Sequence, residues 1–388
     1  MIRIAIIGTG GISDSHILGY LQFPEKCRIV ALCDIYPAKA EQKARKYGLN
    51  AKIYNDHRAL LNDADFDLAS ICTPPYVHAE ITINVLNAGK HVLLEKPMAT
   101  SLQECDQMLQ AQQVSGKLLS IIAQNRFKTP NWNLKKIVDT GVIGKIVHAQ
   151  IDSFWWRGQN YYDLWWRGTW EKEGGGCTLN HAVHQVDLFQ WMVGMPIQVQ
   201  AVLANLAHDN SEVEDFSTTV LRYANGAIGQ INASLVHHGE PQQFVIQGER
   251  ATIAAPWKVI ASKDKGNGFP EPNPALVAEI EAMHSHLPAL KYEGHTGQIA
   301  NVLATLEGRE ELLIDGYAGK RTIELITAIY YSGTYNTRVQ LPITLDNPFY
   351  TTAGILANAP RFHHKTRTIE NFADETIVVG ASSDQNKM

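Results

Sequence analysis

The chain has 388 residues, 45% of them hydrophobic and 19% charged, a composition suited to a globular enzyme of two domains. A net charge of −5 and a pI near 6.3 argue against nucleic acid or an anionic membrane as partner. Five scattered cysteines without a CxxC pair point to reduced thiols, and no apolar run reaches the roughly 18 residues of a membrane helix, so a cytoplasmic location is expected.

Ile2–Ile7 reads as a buried strand and runs straight into Gly8-Thr9-Gly10-Gly11-Ile12-Ser13, with no signal peptide ahead of it. A helical segment, His16–Leu21, follows. Strand, glycine turn and helix form the context of a dinucleotide fingerprint. Gly8 permits the tight turn, Gly10 lets the backbone approach a pyrophosphate, and the N–H groups around Gly11 and Ile12 face it. Ser13 takes the third small position. The next strand, Ile29–Cys33, ends in Asp34, placed to accept the hydroxyls of an adenosine ribose and to favour NAD over NADP. The competing reading of Asp34 is the N-cap of a helix beginning at Pro37.

Leu68–Cys72 is a further strand, followed by Thr73-Pro74-Pro75 and a helix from His78 to Asn87 that Gly89 ends. The run Val92-Leu93-Leu94 then stops abruptly in Glu95-Lys96-Pro97. Pro97 has no N–H for a ladder and is a candidate for a cis bond. A helix over Ser101–Ser115 and a strand over Leu118–Ile122 complete an alternation that predicts a parallel, doubly wound sheet. Thr73, Pro74, His78, Glu95 and Lys96 fall at carboxyl ends of strands, where such sheets bind ligands. The first domain is assigned to residues 1–124.

From Asn125-Arg126-Phe127 the pattern changes to short strands joined by turns, with helices near Pro274–His286, Gln298–Leu306 and Arg321–Tyr331. This predicts a second α/β domain, residues 125–388, built on a large, open, mostly antiparallel sheet. The tail after Pro342 reads as irregular, suited to wrapping or subunit contact. Five of the eight tryptophans fall between 155 and 170. Aromatic faces such as Tyr161 and Trp166, with Arg167 among them, suit a ring that is apolar on its C–H faces and hydroxylated at its edge. The competing reading is a hydrophobic patch against the sheet or a neighbouring subunit. Gly174-Gly175-Gly176 opens a helix carrying Asn180, His181 and His184, and leaves N–H groups uncovered beside a ligand. Asn180 and His184, spaced i,i+4, would share one helix face. A histidine in the first turns of a helix stays neutral, as a general base requires, although any single histidine is as readily structural. A metal set of His181, His184 and Asp187 lacks support from any metal motif, and no metal is expected.

Taken together, Gly8-Thr9-Gly10, Asp34, Thr73-Pro74-Pro75 with His78, Glu95-Lys96-Pro97, Trp166-Arg167, Gly174–His184 and Leu313-Ile314-Asp315-Gly316 resemble the glucose–fructose oxidoreductase/inositol dehydrogenase (Gfo/Idh/MocA) family. The resemblance implies an N-terminal Rossmann domain that binds NAD, and a C-terminal sheet domain that commonly builds dimers or tetramers. It implies oxidation of a secondary hydroxyl on a sugar, anhydrosugar or cyclitol. The tryptophan-rich stretch and long tail resemble members acting on free or anhydro sugars, such as levoglucosan 3-dehydrogenases. The family's lysine and histidine match Lys96 and His184. Its usual aspartate is Asn180 here, which orients a hydroxyl but holds no proton.

The expected cofactor contacts are therefore Gly8, Gly10, Gly11, Ile12, Asp34, Thr73, Pro74, His78, Glu95, Lys96, Asn125, Trp166 and Arg167. The expected substrate contacts are Lys96, Arg126, Tyr161, Trp166, Asn180, His181 and His184, with Lys96, His184 and Asn180 catalytic. Two rivals stay open: an NAD-dependent glycosidase working by oxidation and elimination, and a non-catalytic NAD-binding regulator.

Overall fold

A computed structural model describes residues 1–370 and residue 372, so the last part of the expected tail lies outside the described residues. The first six strands are β1 (Ile2–Ile7), β2 (Cys27–Cys33), β3 (Lys52–Tyr54), β4 (Leu68–Ile71), β5 (His91–Leu94) and β6 (Leu119–Ile121). They form one sheet in the order β3-β2-β1-β4-β5-β6, with all neighbours parallel. The order reverses beside β1, so the ends of β1 and β4 diverge into a crevice. Residues 68–71 and 92–94 are wholly buried, as near-continuous apolar runs in a two-sided sheet must be.

The helices between these strands are α1 (Ser13–Leu21), α2 (Pro37–Tyr47), α3 (His57–Asp63), α4 (His78–Asn87) and α5 (Leu102–Ser115). Capping defines the last of them. The Ser101 hydroxyl accepts the N–H of Glu104, and Gly116 ends the helix with φ +64°.

The second half begins with α6 (Thr129–Asp139), β7 (Ile146–Phe154), α7 (Cys177–Asn180) and α8 (Val183–Val193). It continues through β8 (Gln198–Ala204), β9 (Phe216–Arg222), β10 (Ile228–Ser234), β11 (Gln242–Gly248), β12 (Ala251–Ala255), β13 (Lys258–Asp264) and β14 (Pro270–Pro272). Then come α9 (Pro274–His286), α10 (Gly294–Leu306), α11 (Gly316–Tyr335), β15 (Val339–Gln340) and α12 (Thr352–Asn358). A nine-stranded sheet results, antiparallel throughout except where β7 pairs with β10. Strand β9 shows why one face stays open: Ser217, Thr219 and Leu221 are buried while Thr218, Val220 and Arg222 are exposed. Helices α8 and α11 cover the buried face.

Helix α10 returns to the first sheet. Its Ile299, Val302 and Leu303 join Ile4, Ile6, Ile17 and Tyr20 in one apolar cluster. The tail is more ordered than its sequence suggests: α12 is capped by the Thr351 hydroxyl, which accepts the Gly354 N–H at 3.0 Å. Strands β12 to β14 and helix α6 also go beyond the sequence reading. Alanines dilute β12, and α6 hides a narrow stripe, Leu134 and Ile137, behind Pro130.

Candidate functional site

The glycine turn follows β1. Gly8 has φ +92°, and a side chain there would meet the Cys72 carbonyl. Ser13 is fully buried, its hydroxyl donating to Gly10 O at 2.6 Å, so the third small position is structural. The N–H groups of Gly10, Gly11 and Ile12 make no hydrogen bond among the described residues. Asp34 does not cap α2; that position is Tyr36. Its Oδ2 accepts the Thr9 N–H and hydroxyl at 2.7 and 2.8 Å, and its Oδ1 accepts the Tyr36 N–H at 2.9 Å. The carboxylate thus ties the end of β2 to the glycine turn. At the end of β4, the buried Thr73 hydroxyl has no partner among the described residues. Free N–H groups at a helix start, a carboxylate beside them and an orphaned hydroxyl across the crevice fit a dinucleotide.

Two residues expected at the cofactor serve the framework instead. His78 is fully buried, with Nδ1 2.8 Å from Pro97 O and Nε2 2.8 Å from Thr73 O. Burial lowers its pKa while the two carbonyls oppose the shift, and the ring sits packed between the end of β4 and the Lys96–Pro97 peptide, donating to one carbonyl when neutral and to both when protonated. Glu95 is buried, with Oε1 2.9 Å from His16 Nε2 and 3.0 Å from His295 Nε2. Burial alone would raise its pKa, but the two imidazoles outweigh it and hold the carboxyl well below the usual range. His16 leans in turn on Ser70, and Ser70 on Tyr20. The sequence reading missed this chain, whose members lie on α1, β4 and α10.

Beyond Glu95 the Lys96 Nζ donates to Asn180 O at 3.0 Å. Burial lowers the lysine pKa while Glu95 opposes the shift. Asn180 and His184 do not share one helix face, because the helix breaks at His181-Ala182, between α7 and α8. The break matters chemically, since it leaves the Asn180 carbonyl free for Lys96. The Asn180 amide donates to Gly175 O at 2.8 Å and to Gly176 O at 3.3 Å. A carboxylate there would face two carbonyls with nothing to donate, which accounts for Asn in place of Asp.

His184 lines the same small cavity as Lys96, and its ring nitrogens make no hydrogen bond among the described residues. Burial, then the charge of Lys96, hold it well below the ordinary imidazole pKa. His181 Nε2 lies 3.1 Å from the Tyr161 hydroxyl and its Nδ1 is buried without a partner among the described residues. Arg167 stacks between Trp166 and Tyr161, its carbon 4.1 and 4.3 Å from the ring centroids, and donates to Glu173 at 2.8 Å. Arg157 donates to Glu240 at 2.8 Å. Trp170 belongs to the core, edge-on to Tyr330 at 4.9 Å.

Two further expectations change. The N–H groups at the end of the glycine turn are covered: Gly176 and Thr178 donate to the Glu214 carboxylate at 3.1 and 3.0 Å, Cys177 to Glu214 O, and Leu179 to the Tyr330 hydroxyl, while those of Gly174 and Gly175 make no hydrogen bond among the described residues. A side chain on Gly176 would collide with the Glu214 carbonyl, so close packing, not ligand approach, requires the glycine. Arg126 is buried, with Nε and Nη2 donating to Asp187 at 2.7 and 2.6 Å, which commits both partners and takes Asp187 out of any metal set. Asn125 offers its carbonyl to Asn131 at 2.8 Å, closing the turn before α6.

Residues 2–122 match the family described as "Oxidoreductase family, NAD-binding Rossmann fold", and residues 132–254 match the "GFO/IDH/MocA C-terminal domain". Among solved structures, the WlbA dehydrogenase from Bordetella pertussis, in complex with NADH and UDP-GlcNAcA, is 31% identical with a TM-score of 0.76. That comparison covers 88% of this chain and 99% of the other. D-glucoside 3-dehydrogenase of Escherichia coli K12 is 25% identical over 88% of this chain and 97% of its own length. Levoglucosan dehydrogenase of Pseudarthrobacter phenanthrenivorans is 28% identical over 65% of this chain and 73% of its own.

Proposed function

This chain belongs to the Gfo/Idh/MocA oxidoreductase family, and on that premise we propose that it oxidises a secondary hydroxyl of a neutral sugar, anhydrosugar or cyclitol. The observation that carries the reading is the Lys96 ammonium, held on Asn180 O and lining one cavity with an uncommitted His184.

The residues that would hold NAD are Gly8, Gly10, Gly11 and Ile12 at the pyrophosphate, Asp34 at the ribose, and Thr73 with Pro74 toward the nicotinamide. When bound, NAD supplies the acceptor for a hydride from the carbinol carbon. His184 takes the hydroxyl proton on a ring nitrogen, and its lowered pKa keeps it neutral and ready to do so. Lys96 Nζ stabilises the charge developing on the oxygen, a contribution of roughly 3 kcal/mol. Asn180 acts through its carbonyl, aiming Lys96. Trp166, Tyr161 and His181 form the wall against which the ring rests. Arg126 supports α8 from behind rather than touching substrate. Glu173 and Glu240 already neutralise Arg167 and Arg157, which favours a neutral ring over an anionic one.

Residues 1–124 form the cofactor half in this reading and the chain from 125 the ring half, with α10 lent back to the first. The open sheet face, where Val202, Val220 and Ile260 are exposed, suits assembly into a homodimer or homotetramer. Five free, buried cysteines fit a cytoplasmic protein, and among the described residues no helix is long and apolar enough to cross a membrane.

The test is near-ultraviolet absorbance of reduced nicotinamide, with NAD or NADP and a panel of inositols, aldoses, anhydrosugars, glycosides and sugar nucleotides. NADH from a neutral polyol is the expected result. Turnover confined to a sugar nucleotide overturns the substrate class. Aglycone release without net NADH replaces the dehydrogenase with the glycosidase.

A further inference from the structure

The aromatic loop between β7 and α7 has almost no structure of its own. A single short helical turn, Gln159–Asp163, interrupts it. Loops of this length hold a shape only when something else satisfies their backbone. The inner edge of the loop is tied to the α7–α8 break by Tyr161 on His181 and folded on itself where Arg167 and Gly168 donate to Glu173. Its outer edge is tied by the tail.

The tail runs beside the loop as a strap. Ile369 N–H donates to Asp163 O at 2.8 Å, and Trp165 N–H donates to Ile369 O at 3.0 Å, a parallel bridge centred on Leu164. The indole N–H of Trp170 donates to Pro360 O at 2.8 Å, and the Lys365 ammonium donates to Tyr162 O. Between strap and loop sits Asn210, fully buried. Its Oδ1 accepts the N–H groups of Thr366 and Arg367 at 2.8 and 3.0 Å. Its Nδ2 donates to Asp163 Oδ1 at 2.7 Å and to Arg367 O at 2.9 Å. Both ends of one amide are spent joining the two segments.

We propose that Asn210 and the strap Pro360–Ile369 are positioning elements for substrate: they hold Tyr161, Trp166 and Arg167 over the ring site and so set affinity for the sugar without touching it. The inference rests on the ring site assigned above. The glycine turn that would hold the pyrophosphate lies on the other sheet and is not part of this clamp, and Trp166 and Arg167, expected beside the cofactor from sequence, are assigned here to the ring alone, so the two affinities separate. Displacing binding groups by as little as about 1 Å costs on the order of a hundredfold in turnover efficiency, so loosening the loop has a readable effect.

The experiment uses the full chain with two variants, Asn210→Ala and Ile369→Pro. The second, at an exposed position, removes the N–H that reaches Asp163 along with the isoleucine side chain, and leaves Asn210 intact. Three quantities are read: KM and kcat for the best polyol, NAD affinity by fluorescence, and hydrogen exchange of amides 159–170. The expected result is a sugar KM raised about tenfold or more, kcat changed much less, NAD affinity unchanged and faster exchange in the loop. Should Asn210→Ala fail to fold, Ile369→Pro alone decides on the same readouts. Unchanged KM and unchanged loop exchange in a folded variant overturn the proposal. If no polyol is turned over by the wild type, the functional reading fails separately. Exchange then decides whether the strap holds the loop, and loss of the ring site withdraws the claim about sugar affinity.

Discussion

Replacing Glu214 by Gln tests whether a buried carboxyl, rather than a ligand, closes the glycine turn. Burial raises the Glu214 pKa from 4.5 to about 7, against the pull of Thr178 and Tyr330. A carboxyl with a higher pKa in the folded state binds more protons folded than unfolded. Its favourable contribution is therefore complete below pH 4.5 and is lost as pH rises through about 7. A shift of about two and a half units corresponds to roughly 3 kcal/mol. That is a large share of the roughly 5–15 kcal/mol that holds a typical domain together. Gln carries no charge to desolvate, so the variant escapes this decline. It does set an amide NH2 among donors, a cost that is the same at every pH. The assay is urea unfolding of both proteins across a pH series. Between about pH 5 and about pH 8 the difference in stability should move toward the variant by roughly 3 kcal/mol. Parallel pH profiles would refute the reasoning and return the turn's N–H groups to the search for a ligand.

Lys96→Met should lower kcat by about a hundredfold to a thousandfold while NAD binding, followed by fluorescence, is kept; retained turnover would remove the lysine from the chemistry. Because His184 is held below the ordinary value of 6.5, the acid limb of kcat/KM should fall below that pH, and a limb above it would contradict the base assignment. Arg126→Met leaves Asp187 buried without its cation and should cost about 3–5 kcal/mol in denaturant unfolding, with much of it regained in the Arg126→Met/Asp187→Leu pair. Asn180→Asp turns an amide donor into a carboxylate facing Gly175 O and Gly176 O. It should lower stability by about 1–3 kcal/mol at neutral pH, and an equally stable variant would overturn the account of Asn at this position.

The first half of the fold was open to sequence reasoning because its signals are local. A buried apolar run, a glycine turn and a helix occupy consecutive residues, so Ile2–Leu21 declares itself without knowledge of anything distant. The same holds for β5 ending at Glu95-Lys96-Pro97. The second sheet was legible in kind and less so in extent. Strands such as β9 alternate cleanly, whereas β12 and β13 form a hairpin around Pro256-Trp257 in which alanines and solvent-facing residues blur the period. Short helices hide for a related reason. Helix α12 depends on one threonine cap and one buried isoleucine, Ile355, too little for a pattern.

The site divides along the same line. The residues proposed to act are announced by their own neighbours: Lys96 by the proline after it, His184 by its spacing from three glycines. Residues that hold them in place are announced by nothing nearby. Glu214 reaches back 36 residues to Thr178, His295 meets Glu95 across 200, and Arg367 meets Asn210 across 157. Three glycines in a row read most simply as room for a ligand, and only the positions of Thr100, Tyr330 and Glu214 show that the room for a side chain is taken. A glycine marks the absence of a side chain, and sequence does not say what fills the space. Hence the turn that looked like the ligand's cradle is, from Gly176 onward, the framework's own joint, and among the described residues open N–H groups lie at Gly10 and Gly11, across the crevice from Thr73, as well as at Gly174 and Gly175.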